Sequence, residues 1–239
     1  LGKHTLHGGA NGMDRRVWSF EEVLPDRARL ALTLPDGDMG FPGTLTVRAS
    51  FACLPDGVLD IQLEAETDAP TLCNLAHHSY FNLGGETILD HLLQIEADAY
   101  LPVDDELIPT GEVRAVAGTR FDFREDIPVR QANPVDHNFC LAPKRGPLRR
   151  VARLANPATG LSMELRTNEP GLQVYDGAAI DVDLPGLTGK PMGAYAGIAL
   201  EPQVWPDANH RPAFPQAVLR PGERYTQRTQ YAFAKAPAR

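Results

Sequence analysis

Apolar and polar side chains alternate along much of this chain. In TLTVRASFACL (44–54), Leu45, Val47, Ala49, Phe51 and Cys53 fall on one face; Thr44, Thr46, Arg48 and Ser50 fall on the other. In VLDIQLEAET (58–67), Leu59, Ile61, Leu63 and Ala65 alternate with Asp60, Gln62, Glu64 and Glu66. RARLALTL (27–34) repeats the pattern through Leu30, Leu32 and Leu34. A period of two is that of a strand buried on one face, and one solvated face marks an antiparallel sheet. LPDG occurs at 34–37 and again at 54–57, where Pro fixes φ and Gly accepts a positive φ. Strands 27–34, 44–53 and 58–67 are therefore expected to form successive hairpins.

Further strands are expected at 92–97, 149–154, 161–167, 172–175, 196–203 and 224–233. Residues 86–96 fit a helix or a strand equally well. With 21 Gly and 21 Pro breaking the chain into short segments, the fold class is all-β, a sandwich or barrel. No Ser/Gly-rich linker or charge block divides residues 1–239, so one domain is expected.

Composition narrows the partners. The net charge of −8 opposes nucleic acid, whose phosphates need Lys and Arg. No polybasic stretch suits an anionic membrane surface, and no apolar run reaches the roughly 18 residues of a membrane span. A small, weakly charged molecule fits better. The three cysteines, Cys53, Cys73 and Cys140, include no C-x-x-C pair; as unpaired, buried thiols they suit a reducing compartment, and the cytoplasm is expected. GLTGKPMG (186–193) lacks the phosphate-loop spacing.

Three stretches carry candidate chemistry. NLAHHSYFNLGG (74–85) sets His77 and His78 before a Gly-Gly turn. Adjacent strand residues face opposite ways, so the two histidines do not readily share a metal. One reading makes them an exposed histidine and a turn cap; the other makes one of them an acid–base group. Glu201 lies in AGIALEPQVWPD, and burying even a merely polar group there costs about 2–7 kcal/mol unless it is paired. Desolvation would raise its pKa toward a general base's range; the plainer reading is an outward Glu before Pro202. His7 in LHGG and Asp136 in VDHNFCL are weaker candidates, each with an ordinary role at a turn or strand end. Trp18 is expected in the core and Trp205 beside a cleft.

Taken in order, LHGGANGMDRRVW (6–18), GFPGTLTV (40–47), NLAHHSYFNLGG (74–85), LPVDDELIPTGE (101–112), GTRFDF (118–123), DHNFCL (136–141), PGLQVYDG (170–177) and LEPQVWPDANHRPAFP (200–215) resemble the aldose 1-epimerases, or galactose mutarotases. The resemblance implies a large antiparallel β-sandwich that interconverts the α and β anomers of free hexoses such as glucose and galactose. It implies His78 as general acid and Glu201 as general base, with His7, Asp136 and Gln173 binding the sugar. It implies no cofactor and no metal, an aldohexose as partner, and a monomer or homodimer. His77 stands where the family usually has Asn, Pro202 where Thr or Ser is common, and Arg120 where Pro is usual. The family's Asn-Arg substrate pair lies upstream of LHGG, so the domain is expected to lack its N-terminal segment. Two alternatives stay open: a glycoside hydrolase or lyase using Glu201 and Asp136, and a non-catalytic sugar-binding protein of the same fold.

Overall fold

The computed structural model describes residues 2–186, 189 and 191–236; the rejected phosphate-loop stretch falls partly on Leu187, Thr188 and Lys190, outside them. The chain begins with β1 (Ser19–Leu24), β2 (Arg27–Leu34), β3 (Leu45–Leu54), β4 (Val58–Thr67), β5 (Thr71–Leu72) and β6 (Tyr80–Phe81). It continues through β7 (Leu92–Ile95), β8 (Ala99–Tyr100), β9 (Arg114–Ala115), β10 (Ile127–Pro128), β11 (Asp136–Cys140) and β12 (Arg149–Asn156). The last strands are β13 (Leu161–Thr167), β14 (Gly171–Tyr175), β15 (Ile198–Gln203), β16 (Val218–Leu219) and β17 (Tyr225–Lys235).

Nine strands form one antiparallel sheet in the order β1-β2-β3-β4-β17-β13-β12-β7-β10, and six form a second in the order β6-β15-β14-β11-β8-β9. β16 and β5 pair separately. The helices among the described residues are short 3₁₀ turns, none of them long and apolar enough to cross a membrane.

The expected hairpins form as the alternation dictates. β2, β3 and β4 pair in sequence, with Val47 opposite Ala65, Ala49 opposite Leu63 and Phe51 opposite Ile61. Val47, Ile61, Leu63 and Ala65 are buried, while Thr46, Arg48 and Glu64 keep partial exposure on the other side. Complete burial of a side chain such as Ile61 contributes about 1.5–3 kcal/mol. The second LPDG turns as expected, with Asp56 at φ 62° and Gly57 at φ 71°. Inner residues of both sheets, among them Leu63, Leu165, Leu172, Val174, Ile198 and Leu200, share one apolar core.

Several expectations are corrected. The ambiguous 86–96 region is strand at 92–95, preceded by a turn in which His91 N–H donates to the Ile88 carbonyl at 3.0 Å. β1 was not anticipated: all six of its residues are exposed, so burial imposes no alternation on SFEEVL. Cys53 is exposed rather than buried, though all three thiols are free. Trp18 packs against the main core as expected, whereas Trp205 does not lie beside the cleft. Trp205 is buried against Phe214 in a satellite core and donates to the Pro170 carbonyl at 2.8 Å. Trp18 is the one that lines the cleft.

Candidate active site

In the six-stranded sheet, alternation sorts side chains between core and site. Leu200 of β15 and Leu172 and Val174 of β14 join the core. Their neighbours Glu201, Gln173 and Tyr175 therefore point to the opposite face. Glu201 pairs with Gln173 across the β14–β15 ladder, and Asp136 pairs with Tyr175 across the β11–β14 ladder. Gln173 Nε2 donates to Asp136 Oδ1 at 2.6 Å. Three adjacent strands thus place Asp136, Gln173 and Glu201 side by side.

The two histidines turn to opposite sides, although residues 77 and 78 lie outside any strand. His78 turns to the site, with Nε2 3.5 Å from Glu201 Oε1. His77 turns inward onto Phe51 and Tyr231, with ring centroids 5.9 and 5.8 Å away, and its Nε2 meets Ser79 Oγ at 3.0 Å. His7 reaches the site from the N-terminal loop, its ring edge-on to His78 at 5.4 Å. The loop needs its glycines. His7 itself sits at φ 54°, Gly8 follows at φ 78°, and a Cβ at Gly12 would collide with the His7 carbonyl. Further along, Arg16 ties the loop to Asp38 at 2.6 Å.

All five sequence-derived residues therefore gather in one region. Tyr80 and Tyr175 were missed. The Tyr80 ring stands 5.2 Å from His78 and 6.2 Å from Tyr175, forming an aromatic wall. Each lies two positions after a residue already singled out, His78 and Gln173, so period-two alternation would have found both. A cavity of about 890 Å³ opens beside His7, His78, Tyr80 and Glu201, running over Trp18, just before β1, and over Leu30 and Val47 of the large sheet.

Burial and charge set the protonation states. Burial, then the nearby Asp136, pushes the Glu201 carboxyl up to about 8. Burial lowers the His78 imidazole, and His7 adds to this; Asp136 opposes it without overcoming burial. Asp136 is also raised by burial, against the bond from Gln173. Desolvation of His78 outweighs the attraction of Asp136. Both shifts favour the neutral pair near pH 7, with the proton on Glu201 rather than on His78. No group of three or more His, Cys, Asp or Glu among the described residues is placed to hold a metal.

Comparison with known proteins agrees with this fold. The family model described as aldose 1-epimerase matches residues 1–232. The chain is 41% identical to the galactose mutarotase of Homo sapiens over 244 residues, covering 98% of this chain and 70% of that protein. It is 36% identical to the aldose 1-epimerase of Escherichia coli (strain K12) over 246 residues, covering 97% of this chain and 71% of the relative. A solved aldose epimerase homologue from C. elegans superposes with a TM-score of 0.91 at 29% identity, covering 98% of this chain and 74% of that one. The galactose 1-epimerase of Lactobacillus acidophilus gives 0.82 at 32% identity, covering 97% and 70%. This chain belongs to the aldose 1-epimerase family, and its sandwich is of the galactose mutarotase type.

Proposed function

We propose that this protein is an aldose 1-epimerase that interconverts the α and β anomers of free aldohexoses such as glucose and galactose by acid–base ring opening. The observation that carries the reading is the 3.5 Å approach of His78 Nε2 to Glu201 Oε1, beside the Asp136–Gln173 pair. The homologues named galactose mutarotase and aldose 1-epimerase support it.

Glu201 as carboxylate removes the proton of the anomeric hydroxyl, and His78 as imidazolium protonates the ring oxygen. The ring C–O bond breaks, giving the open aldehyde. Rotation about C1–C2 presents the other carbonyl face, and reclosure returns both protons. The acting form has the same proton count as the resting form and differs by one proton moved between Glu201 and His78. His7, Asp136 and Gln173 bind sugar hydroxyls and fix the reacting atoms against the pair.

Polarimetry of fresh α-D-glucose and α-D-galactose tests the reading: the protein should accelerate the approach to equilibrium rotation. Sugar-dependent thermal stabilisation without acceleration would make it a binding protein instead. Release of reducing sugar from an aryl glycoside would make it a hydrolase.

A further inference from the structure

The acid and the base meet across a seam that the sheet does not close. Residues 73–79, which deliver His78, belong to no strand. On that side β15 is paired only at Ile198 and Ala199, through Phe81 and Tyr80. From Leu200 to Pro202, around Glu201, the edge has no strand beside it, and Pro202 has no N–H to offer one.

Side chains fill the place of the missing ladder, and most come from β17 of the other sheet. Tyr231 donates its hydroxyl to the Leu200 carbonyl at 3.0 Å. Gln227 Nε2 donates to the Pro202 carbonyl at 3.0 Å and to the Leu75 carbonyl at 2.8 Å. The two residues flanking Glu201 are thus held from the large sheet, and one amide joins the base's strand to the acid's segment. Tyr225, two residues before Gln227, accepts the Leu75 N–H at 3.2 Å. Arg145 stacks over that ring at 4.4 Å and pairs with the buried Glu169 at 2.5 Å. At the far end, Asn74 imitates a peptide: its Oδ1 accepts the Val204 N–H at 2.8 Å and its Nδ2 donates to the Val204 carbonyl at 2.9 Å. Gln227 and Tyr231 are almost fully buried, and neither touches His78 or Glu201 through a hydrogen bond of its own.

We propose that Gln227, Tyr231 and Asn74 are positioning residues that set the separation of His78 from Glu201: Gln227 ties both segments to β17, Tyr231 ties the base's strand to it, and Asn74 ties the acid's segment directly to Val204. Buried carbonyls left without a donor do not stay in place, because the segments shift to recover hydrogen bonds. A shift of about 1 Å between reacting groups is enough to cost up to 10²-fold in rate. This inference rests on the acid–base reading of the site.

The test compares Gln227→Met, which keeps length but removes both donors, with Tyr231→Phe, which removes one hydroxyl. Gln230→Met is the control: it deletes a buried amide of the same strand that bonds Asp60, away from the seam. Measured for each are kcat and KM by polarimetry, the melting temperature, and the NMR titration of the His78 ring, assigned with His78→Asn. The expected outcome is a kcat lower by about tenfold in Gln227→Met and by a smaller factor in Tyr231→Phe. KM should change little, and the His78 midpoint should move in both. Gln230→Met should lower the melting temperature while kcat and the titration stay as in the parent protein. Lower melting temperatures in Gln227→Met and Tyr231→Phe, with kcat and the His78 midpoint unchanged, would overturn the proposal. If Gln227→Met does not fold, Tyr231→Phe decides it alone. If the parent protein fails to accelerate mutarotation, the proposed function falls, while the His78 titration still decides the positioning.

Discussion

The outward faces of the two sheets use acids in opposite ways. On the nine-stranded sheet several acids meet guanidinium groups: Arg29 lies 3.1 Å from Glu64, Arg228 2.8 Å from Asp60, Arg224 2.8 Å from Glu66 and Arg166 3.0 Å from Glu164. On the six-stranded sheet, Glu201 meets a histidine at 3.5 Å and has another acid, Asp136, as its charged neighbour. A permanently charged partner keeps a carboxylate ionised through the neutral range. A titratable partner and a like charge leave its proton free to move. The comparison shows that composition alone does not mark a catalytic carboxylate; its partner does.

The largest expected effect breaks the reactive side of this contrast. Glu201→Gln removes the proposed base and His78→Asn the proposed acid, and each should lower kcat by about 10²–10⁴, the usual worth of a positioned proton-transfer group. Because the two act as a unit, the double variant should lose far less than the product of the single losses. Steady-state polarimetry of all three decides this; multiplicative losses would mean that the groups act independently.

Next comes pH. The pair works with one proton, so the rate should be bell-shaped. The acid limb marks a second proton reaching His78, below the ordinary histidine value, and the alkaline limb marks loss of the single proton near 8. Stability follows with a definite sign. A carboxyl raised in the folded state stabilises fully below its unfolded value, and that contribution is lost as pH rises through about 8. Glu201→Gln should therefore flatten the fall in melting temperature between the ordinary carboxyl value of 4.5 and about pH 8, each displaced pKa unit being worth about 1.4 kcal/mol. An unchanged slope would count against a buried carboxyl there. Asp136→Asn removes the like charge facing Glu201 and should move the alkaline limb of the rate profile downward.

His77→Asn should cost on the order of 1–2 kcal/mol of stability, because the smaller side chain leaves a void beside Phe51 and Tyr231. It should leave most of kcat. A dead His77→Asn beside an active His78→Asn would reverse the assignment of the two histidines. The smallest effect belongs to the paired face. Arg228→Ala should change stability by about 1 kcal/mol or less and leave kcat unchanged, as exposed ion pairs do.

Legibility in the sequence followed burial. β2, β3 and β4 were readable because one face of each meets the core and the other meets solvent, which writes alternation into the residues. β1 was not, because nothing covers either of its faces. Glu201 could be singled out as a carboxylate in an apolar run, and Gln173 came only with the family resemblance. Trp205 was misplaced because both tryptophans occur in apolar contexts, and which context faces a cleft depends on how the sheets meet. Asn74, Gln227 and Tyr231 left no trace of their role. They bond to main-chain atoms of distant residues, and a peptide carbonyl has no letter in the sequence.

That last property reaches into how the fold tolerates mutation. Gln227 grips the carbonyls of Leu75 and Pro202, and Tyr231 that of Leu200, groups that every amino acid supplies alike. The side chains at 75, 200 and 202 are then free to drift under core packing alone, as Pro202 shows by omitting an N–H that the tie never uses. Substitutions at the two ends of such a tie carry no compensating partner. A search for correlated changes between positions would pass over it, and only a scan of single changes along β17 would bring it to light.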